Sequence, residues 1–255
     1  MIIGISGKKG HGKDLVAKII QYLVSEDARK QTGYDISFDD FLNKAWNEET
    51  LSGWKVKRFA DKLKDMVCML LGCTRKQLEN REFKKKELGE EWYLYEVVEF
   101  NKIITQEEFD NLTDNQKEYF ELVKLTPRKI LQLLGTEAGR NIIHPNIWVN
   151  ALMSEYKNYS RSEFTKGKGI INPNPVYPNW IIPDVRFPNE LAAVKAKGGI
   201  TIRIERPSVI SDDNHESETA LDDAEFDYTV INEGTVEELI NKVEDILIKE
   251  NVIKE

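Results

Sequence analysis

The chain has 255 residues, 40% hydrophobic and 31% charged, which is enough apolar material for a sizeable core and excludes general disorder. Lys+Arg of 36 against Asp+Glu of 44 gives a net charge of −8, which argues against a protein that coats nucleic acid or an anionic membrane. Two cysteines, Cys68 and Cys73, cannot make a disulfide framework, and three histidines disfavour a Cys/His zinc site. No basic apolar leader and no run of ~18 apolar residues appears, so the expected setting is cytoplasmic. Residues 2–6 predict a short apolar strand, followed by a glycine-rich turn. Leu15, Ala17, Ile19, Ile20 and Leu23 then predict a helix from about Asp14. Residues 61–71 carry a helical stripe of Leu63, Met66, Val67 and Leu70. Residues 90–125, rich in charge and aromatics without a clean period, read as an insertion. Thr126 caps and Pro127 opens a helix running to about Gly139. The prolines of residues 172–178 predict an extended linker. Residues 180–184 and 200–204 read as buried strands joined by a helix over 189–197, a right-handed crossover that implies a parallel sheet covered by helices. Residues 228–232 predict a further strand, and Thr235-x-x-Glu238 is a capping box for a last helix with Leu239, Ile240, Val243 and Leu247 inward.

Gly7-Lys8-Lys9-Gly10-His11-Gly12-Lys13-Asp14 fits G-x-x-x-x-G-K, with Asp in place of Ser or Thr. The glycines let backbone N–H groups turn inward, and the helix that follows adds positive potential at its N-terminus. Such a loop cradles phosphates while Lys13 reaches the terminal ones of a nucleoside triphosphate. A glycine-rich turn that happens to hold a lysine is the plainer alternative, weakened by the placement at the first strand–helix junction. Asp14 is itself a hard oxygen ligand suited to Mg²⁺. His11 reads as a loop residue offering its backbone rather than as a general base.

Asp184 ends a predicted strand, where open α/β sheets carry functional groups, and can hold Mg²⁺ through water; a cap or turn aspartate is the structural alternative. Arg186 either clamps a second phosphate or pairs with Glu190. Arg128, Gln132 and Thr136 recur at four-residue steps beside Gly135 and share one helix face. Fork-shaped donors and an amide can read a phosphate and a base, and an ordinary solvated face is equally open on physical grounds. Arg81 and Lys84-Lys85-Lys86 form the strongest basic cluster, either a solvated face or a substrate clamp. The tryptophans, Trp148 among them, read as core more than as base-stacking platforms.

Together, the loop, Phe59-Ala60-Asp61-Lys62-Leu63-Lys64, Arg128 with Leu134-Gly135-Thr136 and Trp148, Pro183-Asp184-x-Arg186, Arg206-Pro207, His215-x-x-Glu218 and Val230-Ile231-Asn232-x-Gly234 form a set of landmarks along most of the chain. In that order they resemble the phage-type deoxynucleoside-monophosphate kinases, a branch of the P-loop nucleoside-monophosphate kinases. The resemblance implies an α/β fold: one P-loop kinase domain over residues 1–255, a three-layer αβα arrangement around a central parallel sheet of about five strands with the loop strand central. Mostly helical insertions are expected at about 30–58 and 73–126, and a mobile lid at about 207–223. The implied reaction moves the γ-phosphoryl group of ATP to a deoxynucleoside 5'-monophosphate, giving the diphosphate as a precursor for DNA synthesis.

Carried over residue by residue, the resemblance assigns ATP to Lys8, Lys9, Gly10, Gly12, Lys13, Asp14 and Asn232, and Mg²⁺ to Asp14 and Asp184. It assigns the monophosphate to Leu63, Lys64, Lys85, Arg128, Gln132, Gly135, Thr136, Trp148 and Arg186, and the transfer to Lys13, Arg128, Arg186 and Asp184. Whether Arg81 or Lys85 is the clamp, which bases are accepted, whether ribose is tolerated and whether the protein is a homodimer stay open at this level. The expected partners are small molecules, with no nucleic-acid polymer and no membrane; a phage-encoded chain would work in the host cytoplasm. The ending at residues 227–235 also resembles dephospho-coenzyme A kinases, and phosphomevalonate kinases share a loop ending in Gly-Lys-Asp. The alternative from another class is a nucleotide switch or partner-driven ATPase docking through residues 90–125. Residues 207–241 hold no Lys or Arg, so the net charge of −8 reads as an acidic shell around a small basic pocket.

Overall fold

A computed structural model describes residues 1–30, 36–43, 52–97, 102–158, 176–209 and 216–254. The expected linker at 172–178, the expected lid, His215 and parts of both expected insertions lie wholly or partly outside these residues. Eight strands are described: β1 Ile2–Ser6, β2 Trp54–Val56, β3 Tyr93–Val97, β4 Lys102–Ile104, β5 Glu121–Lys124, β6 Asn179–Ile182, β7 Ile200–Glu205 and β8 Tyr228–Ile231. The chain falls into two compact units, residues 1–59 with 148–255, and residues 60–147.

The first unit is built on a five-stranded parallel sheet in the order β2-β6-β1-β7-β8, so the strand that runs into the glycine loop is central, as expected. The crossover helix, Pro188–Ala196, joins β6 to β7, but these strands do not pair with each other. β1 lies between them, with Ile3 opposite Ile181 on one side and Ile200 on the other. All five residues of β1 are buried, which explains an unbroken apolar run where a one-faced strand would alternate. Its side chains still point alternately to the two faces. Ile3 and Ile5 pack with Val16, Ile19, Ile20 and Leu23 of the helix Lys13–Lys30, and with Leu239, Val243 and Leu247 of the helix Val236–Lys249. Gly4 instead approaches Val185 and Val194, the latter on the helix Pro188–Ala196. Helices thus cover both faces, the three-layer form. Thr201, fully buried in β7, is satisfied by Asp227, whose carboxylate accepts its hydroxyl at 2.6 Å and its N–H at 2.8 Å. Among the described residues no helix is long and apolar enough to cross a membrane.

The second unit combines helices with an antiparallel sheet in the order β4-β3-β5. Residues 90–125, expected as an insertion, hold the short helices Gln106–Asp110 and Asp114–Lys117 beside the three strands. Strands this short and half-exposed leave no readable period. Tyr95 stacks on Phe109 with ring centroids 3.7 Å apart, and Phe120 meets Phe109 edge-on. The helix Asp61–Leu71 forms where expected, but only Leu63 and Val67 of its stripe are buried, while Met66 and Leu70 are 40% and 55% exposed. The helix opened by Pro127 is α-helical only to Gln132 and continues as a π-helix, Leu133–Ile143. The His144 N–H closes it on the Gly139 carbonyl at 2.9 Å. The four-residue steps from Arg128 to Thr136 therefore run across a change from α- to π-helical pitch at Leu133.

Leu247 is fully buried where the last helix meets β1 and the helix Lys13–Lys30. Leu247→Ala is expected to cost about 2–5 kcal/mol, seen as a lower urea midpoint at an unchanged slope.

Candidate functional site

The loop of residues 7–12 leaves β1 and enters the helix Lys13–Lys30, so its position follows from that of the central strand. Two residues fasten it. His11 is buried, with Nδ1 3.2 Å from both the Ile204 carbonyl and the Arg206 N–H at the end of β7. Asn232, just after β8, donates its side-chain amide to the His11 carbonyl at 2.9 Å. A Cβ at Gly12 would lie 2.6 Å from that same amide nitrogen, and its φ of +98° is a conformation other residues rarely adopt. His11 is thus a structural tie, and the Asn232 side chain holds the loop by the backbone carbonyl of His11. Lys13 turns its amine back on the loop, donating to the Gly7 carbonyl at 2.5 Å and the Lys8 carbonyl at 2.8 Å. Burial lowers its pKa to about 8, and the Arg186 guanidinium pushes the same way against Glu218, Asp14 and Asp184.

The two expected metal carboxylates both act on Lys13 but are held differently. Asp14, 78% exposed, pairs with Arg58 at 2.8 Å. Asp184, just past β6, accepts the Phe59 N–H at 3.0 Å, a tie between distant parts of the chain rather than a cap or turn of its own segment. Among the described residues no three His, Cys, Asp or Glu side chains converge as a metal cage. Two carboxylates without a cage fit Mg²⁺, which keeps several waters and takes its remaining ligands from substrate phosphates.

The expected alternative of an Arg186–Glu190 salt bridge is not what forms. Glu190 is 2% exposed, and its carboxylate accepts the N–H groups of Arg186 at 2.7 Å and Phe187 at 3.2 Å, capping the crossover helix. The Arg186 guanidinium goes instead to Glu218 and, at 3.3 Å, to the Ser217 carbonyl. Glu218 also accepts the Lys9 N–H at 2.9 Å, and Asp222 takes the Lys8 amine at 3.0 Å. These acids come from far along the chain; Glu218 belongs to the His215-x-x-Glu218 landmark, whereas no local pattern announces Asp222. Trp148 is 4% exposed in this unit, in keeping with a core role.

Leu63, Lys64, Lys85, Arg128, Gln132, Gly135 and Thr136 all belong to the second unit. The Lys64 amine lies 2.6 Å from one oxygen of Glu79, and the Lys84 amine 3.4 Å from the other. Burial holds the Lys84 ammonium below its ordinary value, with the like charges of Lys64 and Arg128 helping against the pull of Glu79. Burial would raise the Glu79 carboxyl, but Lys64 and Lys84 outweigh it, and the net displacement is downward. Two lysines therefore flank one carboxylate, Arg75 lies 3.7 Å from the same carboxylate, and Arg128 is among the charges acting on Lys84. In the basic run it is Lys84 that joins Lys64 and Arg128; Arg81 and Lys85 are exposed. The spacing pointed to the run, but which lysine turns inward depends on the packing of the one-turn helix Arg81–Lys85. A Cβ on Gly135 would lie 2.9 Å from Leu63 Cδ2, so the π-helix approaches the helix Asp61–Leu71 through its glycine.

A central parallel strand, a glycine loop and a lysine opening the next helix define a P-loop protein of the three-layer α/β class. The chain belongs to the deoxynucleotide monophosphate kinase family, whose sequence model matches residues 1–243. It is 34% identical over 122 residues to a protein of Acanthamoeba polyphaga mimivirus provisionally named deoxynucleotide monophosphate kinase, covering 46% of this chain and 59% of that one. It is 30% identical over 120 residues to the deoxynucleotide monophosphate kinase of Enterobacteria phage T4, covering 47% and 44%. With the deoxynucleoside-5'-monophosphate kinase of Escherichia phage T5 it shares 24% identity over 211 residues, 74% of this chain and 70% of that protein. The chain thus spans about half the length of the first two relatives.

A Lys13 amine with a pKa of about 8 loses its charge as pH rises through that value. Affinity for a nucleoside triphosphate is therefore expected to fall above about pH 8, with proton uptake on binding that calorimetry in buffers of different ionisation heat would detect. Lys13→Met would lose both signatures; a wild-type affinity constant up to about pH 10 would show that Lys13 does not meet the phosphates. The sign for stability is opposite: a depressed lysine opposes folding below about 8 and is relieved as pH climbs towards 10.5.

Proposed function

We propose that the protein transfers the γ-phosphoryl group of ATP to a deoxynucleoside 5'-monophosphate, releasing ADP and the deoxynucleoside diphosphate. Membership of the family supports the reaction class. The observation that carries the reading is the Lys64–Lys84–Arg128 group, whose cations, apart from the loop in the chain, suit the phosphate of an acceptor. A nucleotide switch or simple ATPase has no use for such a site, whereas a kinase with a phosphate acceptor requires it. In this reading Lys8, Lys9, Gly10, Gly12, Lys13 and Asp14 hold ATP, with Asn232 bracing the loop. Lys64, Lys84 and Arg128 take the acceptor phosphate, while Leu63, Gln132, Gly135 and Thr136 shape the acceptor's surroundings.

An oxygen of the acceptor phosphate attacks the γ-phosphorus, and the bond from that phosphorus to the β–γ bridging oxygen breaks. The attacking oxygen is already anionic, so no general base is needed. What remains is alignment and neutralisation of charge. Lys13 holds its positive charge at the terminal phosphates, and its partial burial makes that charge act through a lower dielectric. Arg128 and Arg186 do the same for acceptor and donor. Asp14 and Asp184 would hold Mg²⁺, which supplies further neutralisation of the triphosphate. Both substrates are small molecules, and the working compartment under this reading is the cytoplasm.

The test is incubation with ATP, Mg²⁺ and a panel of monophosphates and other acceptors. ADP formation that depends on a deoxynucleoside monophosphate is expected; dependence on dephospho-coenzyme A, phosphomevalonate or a protein partner instead would replace the proposal. Lys13→Ala should keep the fold and lower kcat by roughly a hundredfold or more. Arg128→Ala should raise KM for the monophosphate with little change in that for ATP, and an equal loss for both would move Arg128 out of the acceptor site.

A further inference from the structure

The phosphate-binding groups of the first unit are already occupied by carboxylates of the same chain. Glu218 accepts the Lys9 N–H of the loop at 2.9 Å and receives the Arg186 guanidinium, which also reaches the Ser217 carbonyl. Asp222 holds Lys8 at 3.0 Å while its other oxygen takes Arg203 at 3.1 Å. The two acids differ in weight. The Glu218 side chain is 6% exposed, whereas Asp222 is 37% exposed and its pairs are weakened by water and salt. Arg186 and Glu218 are also among the charges acting on the Lys13 amine, so the pair lies beside the group that meets the terminal phosphates.

We infer that Glu218 is an internal stand-in for the terminal phosphoryl group of the donor, and that its displacement sets the preference between triphosphate and diphosphate. The inference rests on the reading that the loop holds ATP. Lys13 and Arg186 are like charges held close together and partly out of water, an arrangement that needs an anion between them. Without nucleotide, Glu218 supplies that anion. A triphosphate brings its own, and a terminal phosphoryl that takes the Lys9 N–H and Arg186 must move the carboxylate away. A diphosphate, one phosphoryl shorter, leaves Glu218 in place. The protein competent for ATP is thus only the fraction in which Glu218 has let go, and the apparent dissociation constant is the intrinsic one divided by that fraction. After transfer Glu218 returns to Arg186, withdrawing it from the departing phosphoryl group and favouring release of products.

The experiment is calorimetric titration of the full chain with a non-hydrolysable ATP analogue and with ADP, for the wild type, Glu218→Gln and Asp222→Asn. Gln keeps the length and can still accept the Lys9 N–H, but it carries no charge. Glu218→Gln is expected to bind the analogue about tenfold more tightly with ADP changed by less than about twofold, while Asp222→Asn changes both only slightly. Equal or weaker binding of the analogue by Glu218→Gln, or equal tightening for ADP, overturns the inference. A second measurement needs no variant: in the wild type, amide exchange over residues 216–222 should quicken with the analogue and not with ADP. Unchanged protection with the analogue overturns it. The acceptor panel separates this failure from that of the kinase reading. A wild type that turns over monophosphate while Glu218→Gln gains nothing for the analogue loses only the role of Glu218. The converse result loses only the acceptor.

Discussion

The attachment of the glycine loop to the ends of β7 and β8 is the constraint on which the proposed donor site depends. A loop of backbone N–H groups binds phosphate only if those groups are held pointing inward before the ligand arrives. Here β1 sets where the loop begins, and His11 and Asn232 set its path. Gly12 is the consequence: the Asn232 amide occupies the space a side chain would need. Lys13 can then fold its amine onto the Gly7 and Lys8 carbonyls, because the chain on either side of it is fixed.

Charge is handled in the same economical way throughout an acidic protein. Cations that would serve phosphates do not stand bare: Glu218 and Asp222 neutralise the loop side, and Glu79 gathers Lys64 and Lys84. Each unit therefore has an internal anion where the proposed function places a substrate anion. Such pairs keep partly buried cations from repelling one another, and they make ligand binding an exchange of one anion for another rather than a simple addition. Glu218 and Asp222, two of the acids in residues 207–241, thus lie against the loop and its arginine rather than in a shell around them.

The second unit makes the complementary point about helices. Two elements depart from regular expectation there: the helix after Pro127 changes pitch at Leu133, and the helix Asp61–Leu71 leaves Met66 and Leu70 exposed. Gly135 nevertheless reaches Leu63 closely, so these two helices meet where the family landmarks lie. A π-helical stretch of this length moves side chains off the α-helical face, and such departures concentrate at functional positions.

The sequence by itself determined the loop, the central buried strand, the crossover helix and the last amphipathic helix, because each is written in local spacing: glycines before a lysine, an unbroken apolar run, a cap followed by a stripe. It also determined the family, since the landmarks are ordered along most of the chain. Only the tertiary structure decided which side chains meet. It placed β1 between β6 and β7, put Lys84 rather than a neighbour beside Lys64, gave Glu190 to backbone N–H groups and gave Arg186 to Glu218. The reason is physical. Periodicity encodes which way a residue faces within its own element, but an ion pair joins elements far apart in the chain, and its partner is fixed only when the core has packed.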